Sequence, residues 1–250
     1  MASQQPIISV QNLQKTYPGW VEAVKSISFE VKAWEIFAFL GPNGAGKSTT
    51  ISMLTTLLDK TSGEAWINWY EISDKHNVRQ QFGVVFQDES LDRDLSARDN
   101  LYFHAMLYGV PRDQITSRIE EMLHFVNLRD VRKRKTKTFS GGMKRRLEVA
   151  RGLLHFPKIL FLDEPTTGLD PQSRMHIWDY LQAMNKSQNL TIFLTSHYMD
   201  EVEKTADRIA IMDHGIIKKI WTLQELRDDS GHESLDDIFV SYTWYELREE

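Results

Sequence analysis

The sequence predicts an α/β fold with a mostly parallel sheet, and three features of its pattern carry this prediction. The apolar run at residues 35–40 ends in a glycine-rich loop, and helical spacing of apolar residues begins directly after that loop. Two further apolar runs, at 158–163 and 191–196, flank a helical pattern at 174–184. Strands that alternate with helices pair in parallel through right-handed crossovers. Residues 91–128 show helical periodicity and no strand pattern, which indicates helices inserted into this core.

The two ends of the core are predicted to be antiparallel. Residues 7–17 and 23–31 alternate polar and apolar side chains on either side of a short turn at 18–20. This alternation is typical of half-buried strands. Residues 206–220 predict a closing pair of strands that turns at 213–215. The first elements therefore predict an N-terminal antiparallel subdomain.

We expect one large domain followed by a short acidic segment. The predicted boundaries are a domain at 1–220, with its core at about 1–88 and 150–220 and a helical insert at about 89–149, and a C-terminal extension at 221–250. The net charge is −5, of which the last 26 residues carry −7, so the rest of the chain is at +2. A nearly neutral body is not built to attract nucleic acid over long range, and no nucleic-acid partner is expected.

Composition places further limits on function and location. No run approaches the ~18 uncharged apolar residues that a membrane span needs. The N-terminus lacks the charged-then-apolar plan of a signal peptide. The chain has no cysteine, which excludes disulfides and thiolate metal sites. We therefore expect a cytosolic location.

The loop at 41–48, GPNGAGKS, fits the phosphate-binding pattern in which Gly, four residues, Gly, Lys and Ser follow one another. Its glycines let successive N–H groups point at phosphate oxygens, and the following helix adds its positive end. Lys47 is expected to reach the β- and γ-phosphates and Ser48 to hold Mg²⁺. A chance match is disfavoured because the flanking strand and helix are both present. The predicted nucleotide-binding residues here are Gly41, Pro42, Asn43, Gly44, Ala45, Gly46, Lys47, Ser48 and Thr49.

Two acids follow the apolar run at 158–163. Asp163 ends a predicted buried strand, where an unpaired carboxylate is costly and coordination of Mg²⁺ removes that cost. Glu164 is placed to orient or deprotonate an attacking water. The alternative is that two acids merely mark the exposed end of a strand.

His197 and Gln87 also follow apolar runs that are predicted to be strands. An imidazole at His197 is placed to donate to the γ-phosphate, although a lone histidine at a strand end is more often structural. Gln87 is placed for a water or for Mg²⁺. Both are predicted as catalytic residues, together with Glu164 and Lys47, and the predicted metal ligands are Ser48, Gln87 and Asp163.

Taken together and in order, these motifs resemble the nucleotide-binding subunits of ATP-binding-cassette (ABC) transporters. The residues that carry the resemblance are Tyr17, the loop at 41–49, Gln87, FSGGM at 139–143, LFLDEP at 160–165, GLD at 168–170 and His197. The chain is most similar in style to the ATPases of the daunorubicin-resistance group of exporters. The resemblance implies a P-loop NTPase (RecA-like) core with a mostly parallel sheet, an N-terminal antiparallel β subdomain and an inserted α-helical subdomain.

The resemblance also implies that Tyr17 stacks on adenine and that each ATP is shared between two subunits. Ser140, Gly141, Gly142 and Asp170 are then nucleotide contacts, the first three to the ATP held by a partner. A serine hydroxyl, two glycines and a helix N-terminus suit an anion, although the same residues also suit an ordinary helix N-cap. The helix is predicted to bury a stripe at Met143, Leu147, Ala150 and Leu154. Lys144, Arg145 and Glu148 are predicted to face outward.

The implied activity is ATP hydrolysis that drives export through a separate transmembrane permease. The implied partners are a second copy of the chain or a homologous ATPase subunit and that permease, which is expected to dock in the groove near residues 87–91. The chain would then be cytoplasmic and peripheral on the membrane, with multidrug resistance as the expected context. Two alternatives stay open: an ABC-type ATPase that acts on nucleic acid or ribosomes, and a nucleotide-gated regulatory subunit with little turnover.

Two local features stand apart from these motifs. The basic run at 129–137 has no interleaved aromatic residues, and we interpret it as a solvated segment between a helix and a loop rather than a nucleic-acid or lipid contact. Several tryptophans stand where the family usually has glycine: Trp20, Trp34, Trp69, Trp221 and Trp244. Where such a turn needs a positive φ, we expect a cost of about 1–2 kcal/mol.

Overall fold

The computed structural model describes residues 6–196, 198–230 and 234–243, and within them it has two sheets and nine α-helices. The strands are β1 Ile8–Tyr17, β2 Val21–Val31, β3 Ile36–Leu40, β4 Ser62–Ile67, β5 Tyr70–Glu71, β6 Phe82–Val85, β7 Ile159–Asp163, β8 Thr191–Thr195, β9 Arg208–Asp213 and β10 Ile216–Thr222. The helices are α1 Lys47–Leu54, α2 Lys75–Arg79, α3 Ala97–Leu107, α4 Arg112–Phe125, α5 Gly141–Gly152, α6 Pro171–Gln188, α7 Met199–Thr205, α8 Leu223–Ser230 and α9 Leu235–Thr243. None of the helices in these described ranges is long and apolar enough to cross a membrane.

The first sheet is antiparallel, in the order β2-β1-β4-β5. The prediction for the N-terminal strands is confirmed by the pairing of β1 with β2 in the register Ile8↔Val31. Along β1, Ile8, Val10 and Leu13 point into the core and their neighbours are more exposed. The alternation in the sequence is thus the alternation of the two sheet faces.

The second sheet has the order β10-β9-β3-β8-β7-β6, and all its pairs are parallel except that of β9 with β10. Strands β3, β7 and β8 are buried along their whole length. Helices cover both faces of such a sheet, so its strands are continuously apolar rather than alternating. The predicted mostly parallel α/β core is confirmed.

A cluster of phenylalanines joins the two sheets. Phe29 of β2 stacks on Phe37 of β3 with ring centroids 5.9 Å apart, and Phe39 and Phe193 lie 5.6 and 6.1 Å from the same ring. These rings are almost fully buried. The contact fixes β2 against β3, and β3 is the strand that leads into the glycine-rich loop.

The insert between β6 and β7 is helical, as predicted, and α5 runs from it back to the sheet. A Cβ added at Gly83 of β6 would lie 1.9 Å from the carbonyl oxygen of Gly152 at the end of α5. Only a glycine at 83 allows this approach. The basic segment between α4 and α5 forms two short 3₁₀ turns. Its side chains pair with Glu120 and Asp94 on the surface, in agreement with a solvated segment.

The tryptophan predictions divide into three outcomes. Trp20, Trp34 and Trp69 have φ of 62°, 69° and 77°, so the expected left-handed backbone is present at these three. At Trp221 the condition for this cost is not met, because the residue lies in β10 without a positive φ, is buried and packs edge-on against Tyr242 at 5.0 Å. Residue 221 therefore belongs to the sheet rather than to a separate tail. Trp244 lies outside the described residues.

Candidate active site

The predicted site residues follow the carboxyl ends of adjacent parallel strands. In sheet order these strands are β3, β8, β7 and β6, and they end at Leu40, Thr195, Asp163 and Val85. Parallel strands place their carboxyl ends at one edge, which is where α/β proteins bind ligands. The glycine-rich loop, the acids at 163–164 and the segment with Gln87 therefore converge there.

The loop between β3 and α1 has the backbone of a phosphate cradle. Gly44 and Gly46 have φ of 80° and 104°. A Cβ at Gly46 would lie 2.3 Å from the carbonyl oxygen of Ala23, so β2 packs directly beneath the loop. The carbonyl of Ala45 accepts from the N–H of Gly215 at 3.1 Å. The loop is thus held from below by β2 and by the β9–β10 turn.

The Lys47 side chain contacts the backbone of the phosphate loop. Its ammonium donates to the carbonyl oxygens of Gly41 at 2.7 Å and Pro42 at 3.0 Å, and the residue is only 5% exposed. Burial lowers the pKa of Lys47 from its usual value, while the charges of Glu164 and Asp163 act to raise it. A cation desolvated in this way gains from an anion placed beside it.

Asp163 connects the phosphate loop to the strand beside it. Its Oδ1 accepts from the hydroxyl of Ser48 at 3.2 Å and from that of Thr195 at 2.6 Å, and the carboxylate is buried. A hydroxyl and a carboxylate oxygen are the ligands that Mg²⁺ prefers, so these two residues fit the ion. Across the described part of the chain, no three His, Cys, Asp or Glu side chains cluster to hold a metal by themselves.

Glu164 lies just past the end of β7 in a left-handed conformation, with φ of 50°. Its N–H donates to Thr195 Oγ1 at 3.0 Å, and its carboxylate accepts from Thr167 Oγ1 at 3.2 Å. A non-glycine residue in this region is strained, and such strain persists where the surroundings impose it, commonly at functional sites. The conformation turns the Glu164 side chain out of the sheet at the carboxyl edge.

Three predicted residues have less structural support. Gln87 is exposed, two residues beyond β6. Tyr17 ends β1 and is 37% exposed, with the Lys15 ammonium 5.4 Å above its ring. His197 lies outside the described residues. The roles of all three stay predictions.

The serine and glycines at 140–142 open α5 at the surface. Ser140 is the N-cap, and its hydroxyl accepts from the N–H of Met143 at 3.3 Å. Ser140 and Gly141 are exposed, while a Cβ at Gly142 would lie 2.4 Å from Ser173 Oγ of α6. Ser140 is therefore a helix N-cap that also faces solvent, and its contact with a partner's nucleotide stays a prediction.

Asp170 is likewise an N-cap, that of α6. Its carboxylate accepts from the N–H of Ser173 at 2.9 Å and from its hydroxyl at 2.6 Å. These hydrogen bonds lower the pKa of Asp170 from its usual value. Its nucleotide contact stays a prediction, because the cap accounts for this carboxylate within one chain.

The outward orientation predicted for Arg145 and Glu148 is wrong. Arg145 is 6% exposed and Glu148 is 4% exposed, although helical spacing assigned both to the solvent face of α5. Arg145 Nη1 lies 3.2 Å from Glu148 Oε2, so the two charges are paired. In the sequence, the i, i+3 spacing of these two opposite charges was the feature that could have indicated the ion pair. Lys144 is half-buried and pairs with Glu89 at 3.0 Å.

Comparison with known proteins identifies the chain. A family model described as "ABC transporter" matches residues 24–167. The chain belongs to the ABC transporter family.

Curated relatives agree with this assignment. The linearmycin resistance ATP-binding protein LnrL of Bacillus subtilis (strain 168) is 41% identical over 236 residues, which cover 94% of this chain and 75% of LnrL. The daunorubicin/doxorubicin resistance ATP-binding protein DrrA of Streptomyces peucetius is 41% identical over 225 residues, covering 90% of this chain and 68% of DrrA. The predicted resemblance to exporter ATPases of this group is confirmed.

Solved structures of ABC proteins share the fold. One, described as the ATP-binding subunit of an ABC transporter, has a TM-score of 0.86 at 28% identity and covers 94% of this chain and 99% of that chain. Another is a dimeric ATP-binding cassette in a post-hydrolysis state bound to ADP and Pi, with a TM-score of 0.79 at 25% identity, 86% of this chain and 98% of that chain. This ABC chain is therefore an ATP-binding, ATP-hydrolysing subunit, of a class that dimerises and works with a membrane component.

Thr195 is a site residue that the motifs did not reveal. It is fully buried at the end of β8, donates to Asp163 and accepts from the N–H of Glu164. A single hydroxyl thus orients both acids of the ABC site. The sequence signal was slight, namely a hydroxyl residue that ends an apolar strand beside the strand with the acids.

Proposed function

We propose that this chain is the motor of an ABC exporter, and that two copies, or one copy and a homologous ATPase, close head to tail around two Mg–ATP. The observation that carries the proposal is the convergence of the phosphate loop, Asp163 and Glu164 at one sheet edge. Ser140 and Gly141 stand at the start of α5 and are both exposed. The site has the parts for hydrolysis but leaves one side of the triphosphate to a partner.

Each residue of the site has a separate role in the proposed hydrolysis of ATP. The loop N–H groups bind the phosphates, and Lys47 exchanges the carbonyls of Gly41 and Pro42 for phosphate oxygens. Glu164 orients the attacking water and accepts its proton, with Thr195 fixing the Glu164 backbone. Ser48 and Asp163 would hold Mg²⁺, which would supply positive charge beside the phosphates. Gln87 and His197 are assigned supporting contacts to water, Mg²⁺ or the γ-phosphate.

The partner completes the site with its signature loop. The free N-terminus of α5 presents the Ser140 hydroxyl and the first N–H groups of the helix, a combination that favours an anion. Gly141 has no side chain to block approach, and a Cβ there would meet only Leu169 at 3.7 Å. Gly142 and Asp170 support this surface, and Tyr17 stacks on adenine. ATP would thus join the two subunits, and its hydrolysis would release them.

Export is supported by the relatives rather than by the site. The named relatives are a linearmycin resistance protein and a daunorubicin/doxorubicin resistance protein. We assign this chain to the same task, on the cytoplasmic face of the membrane and bound to a separate transmembrane permease. An exposed apolar patch on α3, beside the segment with Gln87, supplies a surface for that permease; it consists of Tyr102, Phe103, Met106 and Leu107.

The proposed domain division keeps the predicted boundaries near residues 88, 149 and 220, with the last shifted to the end of β10. The basic segment at 129–137 forms ion pairs with Glu120 and Asp94, and we keep the expectation that no nucleic acid binds. An ATPase acting on nucleic acid would co-purify with it, whereas the proposed motor co-purifies with an apolar membrane subunit. A regulatory subunit with little turnover would release almost no phosphate from ATP.

Glu164→Gln tests the proposal. This variant keeps the shape of the side chain but removes the base, so it should bind ATP, lose phosphate release and accumulate as an ATP-bound dimer in size-exclusion chromatography. Loss of a general base lowers kcat by about 10²–10⁴-fold. Glu64→Gln, at an exposed position of β4, is the matched control and should behave as the parent. A Glu164→Gln variant that stays monomeric with ATP and hydrolyses it at the parent rate would falsify the motor assignment.

A further inference from the structure

Arg145 connects three segments that the proposed hydrolysis depends on. Its Nε donates to the carbonyl of Pro165 at 2.7 Å, its Nη2 to the carbonyl of Glu164 at 3.0 Å, and its Nη1 to the carbonyl of Phe86. The residue itself belongs to α5, five positions after Ser140. One guanidinium thus joins the signature helix, the acid-bearing loop and the residue before Gln87.

The environment of Arg145 makes this arrangement rigid. Burial lowers the pKa of Arg145, and the nearby charge of Glu148, 3.2 Å away, opposes that shift. Glu148 in turn accepts from the N–H and hydroxyl of Ser90 at 2.8 and 3.0 Å. Arg151 donates to the Ser90 carbonyl at 2.6 Å. The segment at 86–90 is therefore tied to α5 at both of its ends.

The Glu164 backbone is the part of the site that most needs such support. Its left-handed φ of 50° is strained; its N–H donates to Thr195, and its carbonyl accepts from Arg145 at 3.0 Å and from the N–H of Thr167 at 3.3 Å. Thr195 belongs to the rigid sheet, whereas Arg145 belongs to the helix that carries Ser140. A movement of α5 would therefore shift Arg145 relative to the Glu164 carbonyl, which accepts its hydrogen bond.

We propose that Arg145 is a positioning residue that makes the conformation of Glu164 and the segment with Gln87 depend on the seating of the signature helix. This inference rests on the proposed function, since it requires that a nucleotide engages Ser140 of α5. An engaged α5 places the Arg145 fork against the carbonyls of Phe86, Glu164 and Pro165, and so holds Glu164 in the orientation needed for water. Hydrolysis is then linked to closure of the dimer by a path inside one chain.

Arg145→Lys is the direct test, because a lysine keeps the charge but has no planar fork to reach several carbonyls at once. We expect kcat for ATP to fall on the order of 10- to 100-fold, the usual effect of losing a group that orients a reactive residue. The KM for ATP and the binding of ATP measured by equilibrium titration should stay within about threefold, because Arg145 does not contact the phosphate loop. Arg146→Lys is the matched control: Arg146 donates to Val126 of the insert at 3.0 Å, and its kcat should be unchanged.

A second variant controls for the possibility that Arg145→Lys fails to fold. Arg145→Met combined with Glu148→Gln removes both buried charges, and replacing such a pair without leaving one charge alone is often tolerated. It should fold, bind ATP and show the same fall in kcat. If this variant or a folded Arg145→Lys retains the parent kcat, or if KM rises while kcat is kept, the positioning role is refuted.

A third measurement separates this inference from the proposed function. In a Glu164→Gln background, Arg145→Lys should still form the ATP-bound dimer in size-exclusion chromatography, because Ser140 and the phosphate loop are intact. If Glu164→Gln alone gives no dimer, the head-to-tail motor fails. If Glu164→Gln dimerises and the Arg145→Lys variant hydrolyses ATP at the parent rate, only the role of Arg145 fails.

Discussion

The backbone at two exposed tryptophans predicts that glycine is preferred over alanine at their positions. Trp20 follows β1 with φ of 62° and is 90% exposed, and Trp69 lies between β4 and β5 with φ of 77° and is 68% exposed. Alanine and tryptophan share the Cβ that makes this region unfavourable, by about 1–2 kcal/mol per residue. Glycine avoids that cost but loses about 0.5–1 kcal/mol more in backbone entropy. The net preference for glycine is about 0.5–1 kcal/mol at each position.

Trp66 supplies a control within the same hairpin. It lies three residues before Trp69, inside β4, where its backbone pairs with Ser9 and its φ is not positive. At this position the same comparison should reverse, with alanine preferred over glycine by about 0.5–1 kcal/mol because no left-handed strain offsets the entropy. The sign of the stability difference between the glycine and alanine variants therefore distinguishes a left-handed backbone from a strand backbone.

The measurement is thermal unfolding of matched variants. For a chain of this length 1 kcal/mol shifts Tm by about 2–4 °C. The variant with glycine at both Trp20 and Trp69 should therefore melt about 2–8 °C above the variant with alanine at both. At Trp66 the order of the glycine and alanine variants should be reversed. Equal melting of the glycine and alanine variants at residues 20 and 69 would show that strain does not act there.

Two further predictions concern packing and pH. Gly83→Ala should lower the free energy of unfolding by about 1–3 kcal/mol in urea titration, because its methyl group would be 1.9 Å from the Gly152 carbonyl; an unchanged midpoint would mean that α5 moves freely on β6. Burial, aided by the charges of Arg151 and His155, lowers the pKa of His104 to about 3. The unfolded chain therefore takes up this proton near pH 6.5 and the folded chain only near pH 3, so stability falls as pH drops through that window. His104→Phe keeps an aromatic ring against Tyr108 but cannot take up a proton. Between pH 6.5 and 5 this variant should therefore lose less free energy of unfolding than the parent, by at most about 2 kcal/mol. The same dependence of stability on pH in both proteins would contradict this prediction.

The sequence predicted the phosphate-binding edge of the fold well, for reasons that are local. Residues that are close together in the chain determine the fully apolar strand, the loop whose glycines adopt φ of 80° and 104°, and the helix that follows it. The acids at 163–164 were found in the same way, from the end of one strand. Strand order within the sheet was not available, because it depends on contacts between segments far apart in the chain.

Arg145 and Thr195 show what local reasoning misses. Helical spacing placed Arg145 outside, because spacing tells which side chains share a face but not which other segments cover that face. The carbonyls that accept from it belong to residues 86, 164 and 165, which no pattern brings together in sequence. In the sequence, Thr195 is simply the last residue of an apolar strand. Its role is visible only once β8 is known to pair with β7, which places Thr195 opposite Asp163. Thr195 contacts both acids through its hydroxyl, and Arg145 contacts Glu164 through the backbone carbonyl. A sequence motif does not show contacts of these two kinds.

The left-handed turns at residues 20, 34 and 69 also bear on how this protein behaves at high concentration. Their three indole rings are 90%, 51% and 68% exposed, so the turns that carry backbone strain also place large apolar groups in water. Exposed apolar groups of this kind favour association between protein molecules.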